Sequence, residues 1–236
     1  MGRVFKENSV LERFYEAWMN DSGTSDDLWS FIQSIPLKGN ILDCGCGSGT
    51  FTRLCAPYAT KILGIDLSSV MIKKANDIPH DTHVSFQVMD MSKLQLNETY
   101  DRVLAMNDVL NFCESYEQLQ DVVNGVYQHL KPNGVFSFDV HHPQRLDEDG
   151  YSESGVLEGC DYEYILEKEE DKFRHTFLWY EADYPTLEVI FQTLFDKETL
   201  LSVFDETLWS LDVVGDNGSV GFEPCEKWMI HARRKV

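Results

Sequence analysis

The chain has 236 residues of ordinary composition for a globular protein, enough for one sizeable domain or one domain with an insertion. Its 40 acidic and 20 basic residues give a net charge of −20, which disfavours nucleic acid as a partner. No apolar stretch approaches the ~18 residues of a membrane-spanning helix, and the N-terminal residues lack a signal-peptide core. A cytoplasmic location with no membrane partner is therefore expected. The six cysteines show no spacing typical of zinc, so no metal site is expected.

Two helical patterns occupy the first 35 residues. The first is SVLERFYEAWM, and the second is TSDDLWSFIQSI, for which Thr24 or Ser25 is the predicted N-cap. Pro36 and Gly39 end this region, because proline and glycine interrupt helices.

Between residues 40 and 141, short apolar runs alternate with helical patterns. The predicted strands are NILDCG, KILGIDLS, VSFQVMD, YDRVLAMND and, after a PNG turn, VFSFDV. The predicted helices are GTFTRLCAPYA, SSVMIKKAND and SYEQLQDVVNGVYQHL, the last with a capping box of Ser115 and Gln118. Such alternation is typical of an α/β fold, in which helices cover a parallel sheet.

Residues 151–195 follow a different pattern. Apolar and polar residues alternate with a period of two, which predicts a small antiparallel sheet with turns near EEDK and ADYPT. A helix, DKETLLSVF, and two strands, TLWSLDVVGD and EKWMIHARR, follow this stretch. The small sheet is therefore predicted to be an insertion between the fifth strand of the main fold and its last helix.

The segment ILDCGCGSGTFT carries the main indication of function. Its glycines at 45, 47 and 49 do not complete the dinucleotide pattern GxGxxG, because Thr50 follows, and no GKS or GKT sequence marks a P-loop. Asp43, at the end of the first strand, would repel a pyrophosphate and suits a cationic ligand. S-adenosylmethionine fits this requirement, because it carries a sulfonium and an ammonium group and no phosphate.

Later strand ends support the same ligand. Asp66 ends the second strand, where a carboxylate can accept hydrogen bonds from ribose hydroxyls, although it could instead cap the following helix. Asp90 and Met91 follow the third strand and suit the amine and the ring of an adenine. Asn107 follows the fourth strand and is expected at the rim near the methionine part, or in a turn that caps the next helix.

These motifs resemble those of the Rossmann-like, class I S-adenosylmethionine-dependent methyltransferases. The matching segments are LDCGCGSG, GIDLS, VMDM, YDRVLAMNDVLNF and LKPNGVFSFDVHHP, and the pattern is nearest to small bacterial enzymes with an inserted β-sheet. The resemblance implies a seven-stranded sheet of order 3-2-1-4-5-7-6, with the last strand antiparallel and helices on both faces. It implies S-adenosyl-L-methionine as the cofactor, and these cofactor-binding residues: Tyr15, Asp43, Gly45, Cys46, Gly47, Asp66, Leu67, Asp90, Met91 and Asn107.

The resemblance also suggests three regions. Residues 1–37 would form a helical lid in which Tyr15 either closes over the cofactor or packs in the core. Residues 38–150 and 196–236 would form the cofactor-binding core, and residues 151–195 would cover the substrate.

The expected activity is methyl transfer to a nitrogen or oxygen of a small-molecule acceptor. His141 and His142 follow a strand end, so one of them could be a general base, or both could be polar rim residues. The tetrad in which Asp, Asn or Ser precedes Pro-Pro-Tyr or Pro-Pro-Phe is absent, and NDVLN stands there, which disfavours nucleic-acid bases. A non-catalytic S-adenosylmethionine-binding protein, another reaction of the same cofactor and a macromolecular acceptor remain alternatives, and the oligomeric state is open.

Overall fold

A computed structural model describes residues 26–145, 150–157, 159–181 and 184–236. Tyr15, the first predicted helix and the predicted N-cap at residue 24 or 25 lie outside these residues. The helices are α1 (Asp26–Gln33), α2 (Thr50–Cys55), α3 (Ser69–Asp77), α4 (Tyr116–His129) and α5 (Lys197–Val203). None of these helices has the length and apolar character needed to cross a bilayer.

In the described residues, eleven strands form two sheets. The strands are β1 (Asn40–Cys44), β2 (Lys61–Asp66), β3 (Val84–Val88), β4 (Tyr100–Ala105), β5 (Leu130–His141), β6 (Tyr151–Leu157), β7 (Cys160–Glu169), β8 (Lys172–Glu181), β9 (Tyr184–Thr193), β10 (Trp209–Gly215) and β11 (Lys227–Arg234). The larger sheet has the order β10-β11-β5-β4-β1-β2-β3. Counted without β6–β9, this is the predicted order 3-2-1-4-5-7-6.

The pairing directions of the larger sheet also confirm the prediction. β1 pairs in parallel with β2 and β4, whereas β11 pairs antiparallel with both β5 and β10. One detail differs: β5 begins at Leu130, before the PNG turn, and its register against β4 shifts between Leu130 and Val135. Asn133, with φ of 62°, lies in this bulge.

Helices cover both faces of the larger sheet, as predicted. Neighbouring residues of a strand point to opposite faces, and β1 shows the consequence. Ile41 packs in a cluster with α1 and α2, whereas Leu42 packs in a second cluster with α4 and α5. Both side chains are fully buried. The strand NILDC is buried on both faces, and this explains its continuous apolar run, which is typical of a central strand.

The strands β6–β9 form the predicted insertion, a four-stranded antiparallel sheet. Alternation places Phe173, His175, Phe177 and Trp179 of β8 on one face, which we call the inner face of the insertion. This face turns toward the main sheet, because Gln192 of β9, which is paired with Phe173, hydrogen-bonds to His141 at the end of β5.

Candidate active site

A cleft of about 520 Å³ lies beside the loop that follows β1. Its walls come from this loop, from α2 and α3, and from the residues after β4. This is the carboxyl edge of the parallel strands, where open α/β sheets bind ligands. The predicted residues that line the cleft are Asp43, Gly45, Cys46, Gly47 and Asn107.

The three loop glycines have different reasons to be glycine. All have positive φ, at 71°, 53° and 81° for Gly45, Gly47 and Gly49. A Cβ on Gly45 would lie 2.5 Å from Val109, and one on Gly49 would lie 2.5 Å from Phe86. A Cβ on Gly47 would have nothing within 4 Å. Gly45 and Gly49 therefore permit close packing, whereas Gly47 leaves open space for a ligand.

Asp43 is a buried carboxylate beside the cleft. It is 2% exposed, and Thr52 Oγ1 of α2 donates a hydrogen bond to Oδ2 at 2.6 Å. Burial raises the pKa of Asp43 to about 7. The hydrogen bond from Thr52 opposes this shift, whereas the negative charge of Asp66 adds to it. The carboxylate would therefore be stabilised by a cation placed in the cleft.

Asp66 joins the tip of β2 to the glycine loop. Its Oδ2 accepts from Gly47 N at 2.9 Å and its Oδ1 from Ser68 N at 2.8 Å. Burial raises the pKa of Asp66, whereas hydrogen bonds from the Ser68, Gly47 and Leu67 amides lower it, and the carboxylate keeps some further acceptor capacity. Ser68, rather than Asp66, is the N-cap of α3, with Met71 N as donor. Leu67 is 43% exposed beside these residues.

Cys46 packs beneath the loop. The residue is 8% exposed, and its thiol donates to Gly47 O at 3.6 Å. Burial strongly raises the pKa of this thiol, so it stays protonated. We assign it an apolar contact surface rather than a reactive role.

Asp90 and Met91 follow β3 at the same edge of the sheet. Asp90 caps a short 3₁₀ turn, and its Oδ1 accepts from Ser92 N at 2.9 Å and from Ser92 Oγ at 2.7 Å. Met89 N, just before this turn, donates to Asp66 O at 2.9 Å, so the tips of β2 and β3 are joined. Of the described residues that line the cleft, none belongs to this turn.

Asn107 and Asp108 form a left-handed turn after β4, with φ of 64° and 59°. Asp108 Oδ2 lies 2.9 Å from Lys227 Nζ and 3.3 Å from His141 Nε2. Burial alone would raise the pKa of Asp108, but its contacts with His141 and Lys227 hold the pKa well below its ordinary range. Asp108 is therefore an ionised carboxylate.

The structure places His141 in this charged cluster, outside the described lining of the cleft. Its Nε2 lies 3.0 Å from Gln192 Oε1, and its Nδ1 lies 2.7 Å from Arg145 Nη1. An arginine can only donate, so Nδ1 accepts, Nε2 carries the proton and the ring is neutral. Burial lowers the pKa of His141 to about 3, despite the charge of Asp108. A ring with this pKa is a poor proton acceptor near neutral pH.

His142 occupies a different environment. Its Nδ1 accepts from Gln144 N at 3.0 Å, and its ring packs edge-on against Trp228. The side chain is buried, and burial lowers its pKa. These contacts are typical of a residue in a turn at the edge of the sheet.

Several site residues were not anticipated from the sequence. Arg53 and Lys74 line the cleft, and Arg53 Nη1 is buried without a hydrogen-bond partner among the described residues. Asp139, Lys227 and Gln192 complete the cluster around Asp108 and His141. The sequence contains one indication of this cluster, because Asp139 is an acidic residue inside the apolar strand VFSFDV.

Comparison with known proteins finds a family match over part of the chain. Residues 41–134 match the family described as a methyltransferase domain. This match covers less than half of the chain, and the strand order is that of the class I, Rossmann-like fold.

Individual relatives cover parts of the chain. YqeM of Bacillus subtilis, itself only provisionally named a methyltransferase, is 31% identical over 117 residues, which are 49% of this chain and 47% of YqeM. Malonyl-acyl-carrier-protein O-methyltransferase of Acetivibrio thermocellus is 35% identical over 104 residues, which are 43% of this chain and 35% of that enzyme. The matches thus span about half or less of these two relatives.

A solved structure covers nearly all of the chain. The amino pentose methyltransferase CalS10 of Micromonospora echinaspora aligns with 97% of this chain and 100% of its own, with a TM-score of 0.74 and 20% identity. At this identity the likeness establishes the fold and not the substrate.

Proposed function

We propose that this chain binds S-adenosylmethionine in the cleft and transfers a methyl group to a nitrogen or oxygen of a small acceptor. The observation that carries the proposal is Asp43, a carboxylate that is 2% exposed beside the cleft. Its hydrogen-bond partner is the neutral Thr52, and burial raises its pKa to about 7. A buried acid of this kind is stabilised by a cationic ligand.

Each chemical group of S-adenosylmethionine can be matched to a residue of the site. Asp43 would face its positive charges, Gly47 leaves space for close approach, and Asp66 has lone pairs for ribose hydroxyls. Arg53, whose side chain lines the cleft, would suit the carboxylate. The turn at Asp90 and Met91 remains our candidate for the adenine, and Asn107 for the methionine part.

The chemistry requires mainly alignment. When bound, S-adenosylmethionine supplies a methyl group on an activated leaving group. The residues of the site then need to hold the acceptor in line and exclude water. Because the ring of His141 is neutral and engaged at both nitrogens, we assign it no proton transfer and a structural role in joining the insertion to the end of β5. His142 packs against Trp228 and is assigned no proton transfer.

The inner face of the insertion supports a small acceptor. It meets the main sheet at His141 through Gln192 and Phe173, at the carboxyl edge of the parallel strands, although none of the described residues that line the cleft belongs to it. CalS10, which shares the fold, is named for methylation of an amino pentose. We therefore place amino sugars first among the acceptors to be tried, and prefer small molecules to nucleic acid because of the charge of −20.

Calorimetry tests the cofactor site directly. S-adenosylhomocysteine should bind the wild-type protein, and NAD or ATP at similar concentrations should not displace it. Asp66→Ala should weaken this binding by roughly 1.5–3 kcal/mol for each lost hydrogen bond to a charged group. Glu98→Ala, which removes an exposed acid paired with Lys61, is the control and should bind normally. Displacement by NAD, or unchanged affinity in a folded Asp66→Ala variant, would contradict the assignment.

A turnover assay separates the enzyme from a binding protein. Conversion of S-adenosylmethionine to S-adenosylhomocysteine should depend on an added amine or hydroxyl acceptor of small size. If the protein binds the cofactor tightly but shows no turnover with amino sugars, small alcohols, RNA or peptides, the result would favour a non-catalytic S-adenosylmethionine-binding protein. Turnover with RNA or a protein alone would contradict the small-acceptor proposal.

A further inference from the structure

The turn after β4 holds two consecutive non-glycine residues in the left-handed region. Asn107 has φ of 64°, and Asp108 has φ of 59° and ψ of 21°. Asparagine and aspartate tolerate this conformation better than other residues with a Cβ, but it still costs free energy at each position. Two such residues in succession persist only where their surroundings stabilise the turn.

The stabilising groups come from two neighbouring strands. Asp139 of β5 is fully buried, and its carboxylate accepts from both amides of the turn, from Asn107 N at 2.7 Å and from Asp108 N at 3.2 Å. Lys227 of β11 contacts Asp139 Oδ2 at 3.3 Å and Asp108 Oδ2 at 2.9 Å. The lysine thereby partly offsets the repulsion between the two carboxyl groups, while burial and the neighbouring Asp108 still raise the pKa of Asp139 to about 7.

The turn links this buried pair to the cleft. Asn107 lines the cleft, whereas Asp139 and Lys227 are not among the described residues that do. We propose that Asp139 and Lys227 are positioning residues of the cofactor site: they hold residues 107 and 108 in the left-handed turn and so shape the wall of the cleft. This inference rests on the proposed cofactor site, but it concerns residues that act through Asn107.

The test measures S-adenosylhomocysteine affinity of the full chain by calorimetry. Asp139→Asn replaces one accepting oxygen with an amide group, which would face a backbone N–H. We expect the affinity to fall about tenfold, because releasing the turn removes part of the preformed cleft wall. Arg102→Met is the matched control, since Arg102 is also buried in the main sheet and contacts Ser137 of β5. It should lose stability without a comparable loss of affinity.

A second substitution distinguishes the turn from general damage. Glycine adopts positive φ without strain, so Asp108→Gly should reduce the need for the carboxylate of Asp139. The triple variant Asp108→Gly, Asp139→Asn, Lys227→Met, which leaves no buried lysine without its partners, should therefore bind more tightly than Asp139→Asn alone. If Asp139→Asn does not fold, the same comparison is made between Lys227→Met and the double variant Lys227→Met, Asp108→Gly.

Each outcome decides between the proposals. If the wild-type protein fails to bind S-adenosylhomocysteine, the proposed cofactor site is wrong. If the wild-type protein binds and folded Asp139→Asn binds within about twofold of it, the positioning role is wrong. A loss that Asp108→Gly does not restore also overturns the inference, because the effect would not pass through the backbone of the turn.

Discussion

Asp43 shows how one side chain can select a ligand by charge. An acid in the interior is stabilised either by a proton or by a nearby cation. Thr52 supplies one hydrogen bond, which does not offset the burial of Asp43, so its pKa rises to about 7. An empty cleft therefore favours a partly protonated Asp43, and a cationic ligand favours the ionised form.

This competition predicts a pH-dependent affinity for S-adenosylhomocysteine, whose ammonium group is cationic. Affinity should rise about tenfold or more between about pH 5.5 and 7.5 and then level off, because ligand binding must displace the proton below the raised pKa. Asp43→Asn should bind more weakly and lose this pH dependence. The measurement is calorimetry across this range, and an equally steep profile in Asp43→Asn would assign the titration to another group.

Folding stability should show the opposite trend in the ligand-free protein. The native pKa of Asp43 lies above its ordinary value of 3.8, so the native state binds more protons than the unfolded state between these pH values. The contribution of Asp43 to stability therefore decreases as the pH rises from about 4 to 7.

At the scale of elements, Arg102 joins α1 to the main sheet. It lies in β4 and is 2% exposed, and its guanidinium donates to Ile35 O, just beyond the end of α1, at 2.9 Å, and to Ser137 Oγ of β5 at 2.8 Å. The carbonyls at a helix C-terminus lack helical partners and carry partial negative charge. Burial lowers the pKa of Arg102 to about 10, which is the electrostatic cost of this arrangement.

Arg102→Met should lower the free energy of unfolding by about 2 kcal/mol, because the carbonyl of Ile35 and the hydroxyl of Ser137 lose a charged donor. Methionine fills similar space without the cost of burying a charge, so the loss should stay moderate. Urea unfolding of the variant measures the change. An increase in stability would mean that the burial cost of the guanidinium exceeds the value of its hydrogen bonds.

At the scale of the whole molecule, the insertion and the main sheet meet at His141. Gln192 of β9 and Phe173 of β8 contact the ring from the insertion. Asp108, after β4, and Arg145, after β5, contact it from the main fold. The protonation of this ring is therefore set by parts of the chain that are far apart in sequence.

The ring of His141 should be a neutral Nε2–H tautomer near pH 6. Nuclear magnetic resonance of isotope-labelled histidine gives the tautomer and the titration of each ring, and His141→Gln identifies the signal of this one. The pKa should lie well below the ordinary 6.5, near the value of about 3 that burial favours. Titration near 6.5 would instead restore His141 as a candidate general base.

Local patterns predicted much of the fold and of the cofactor edge. The strands and helices between Asn40 and His141 follow from apolar periodicity, and the insertion follows from alternation with a period of two. The glycine loop, Asp43 and Asn107 were placed at the strand ends by their positions in those patterns, and they line the cleft. Such features lie within a few residues of each other, so the sequence alone carries them.

Long-range partners decided the rest. Its position after a strand makes His141 a candidate base by sequence, but Gln192, 51 residues away, and Arg145 hold it neutral. The left-handed turn at Asn107 depends on Asp139, 32 residues away, and on Lys227, which β11 brings beside β5. Sequence alone determined which segments form strands, helices and the glycine loop. Tertiary structure determined the charges and hydrogen-bond partners of the site, because these depend on burial and on contacts that no local pattern encodes.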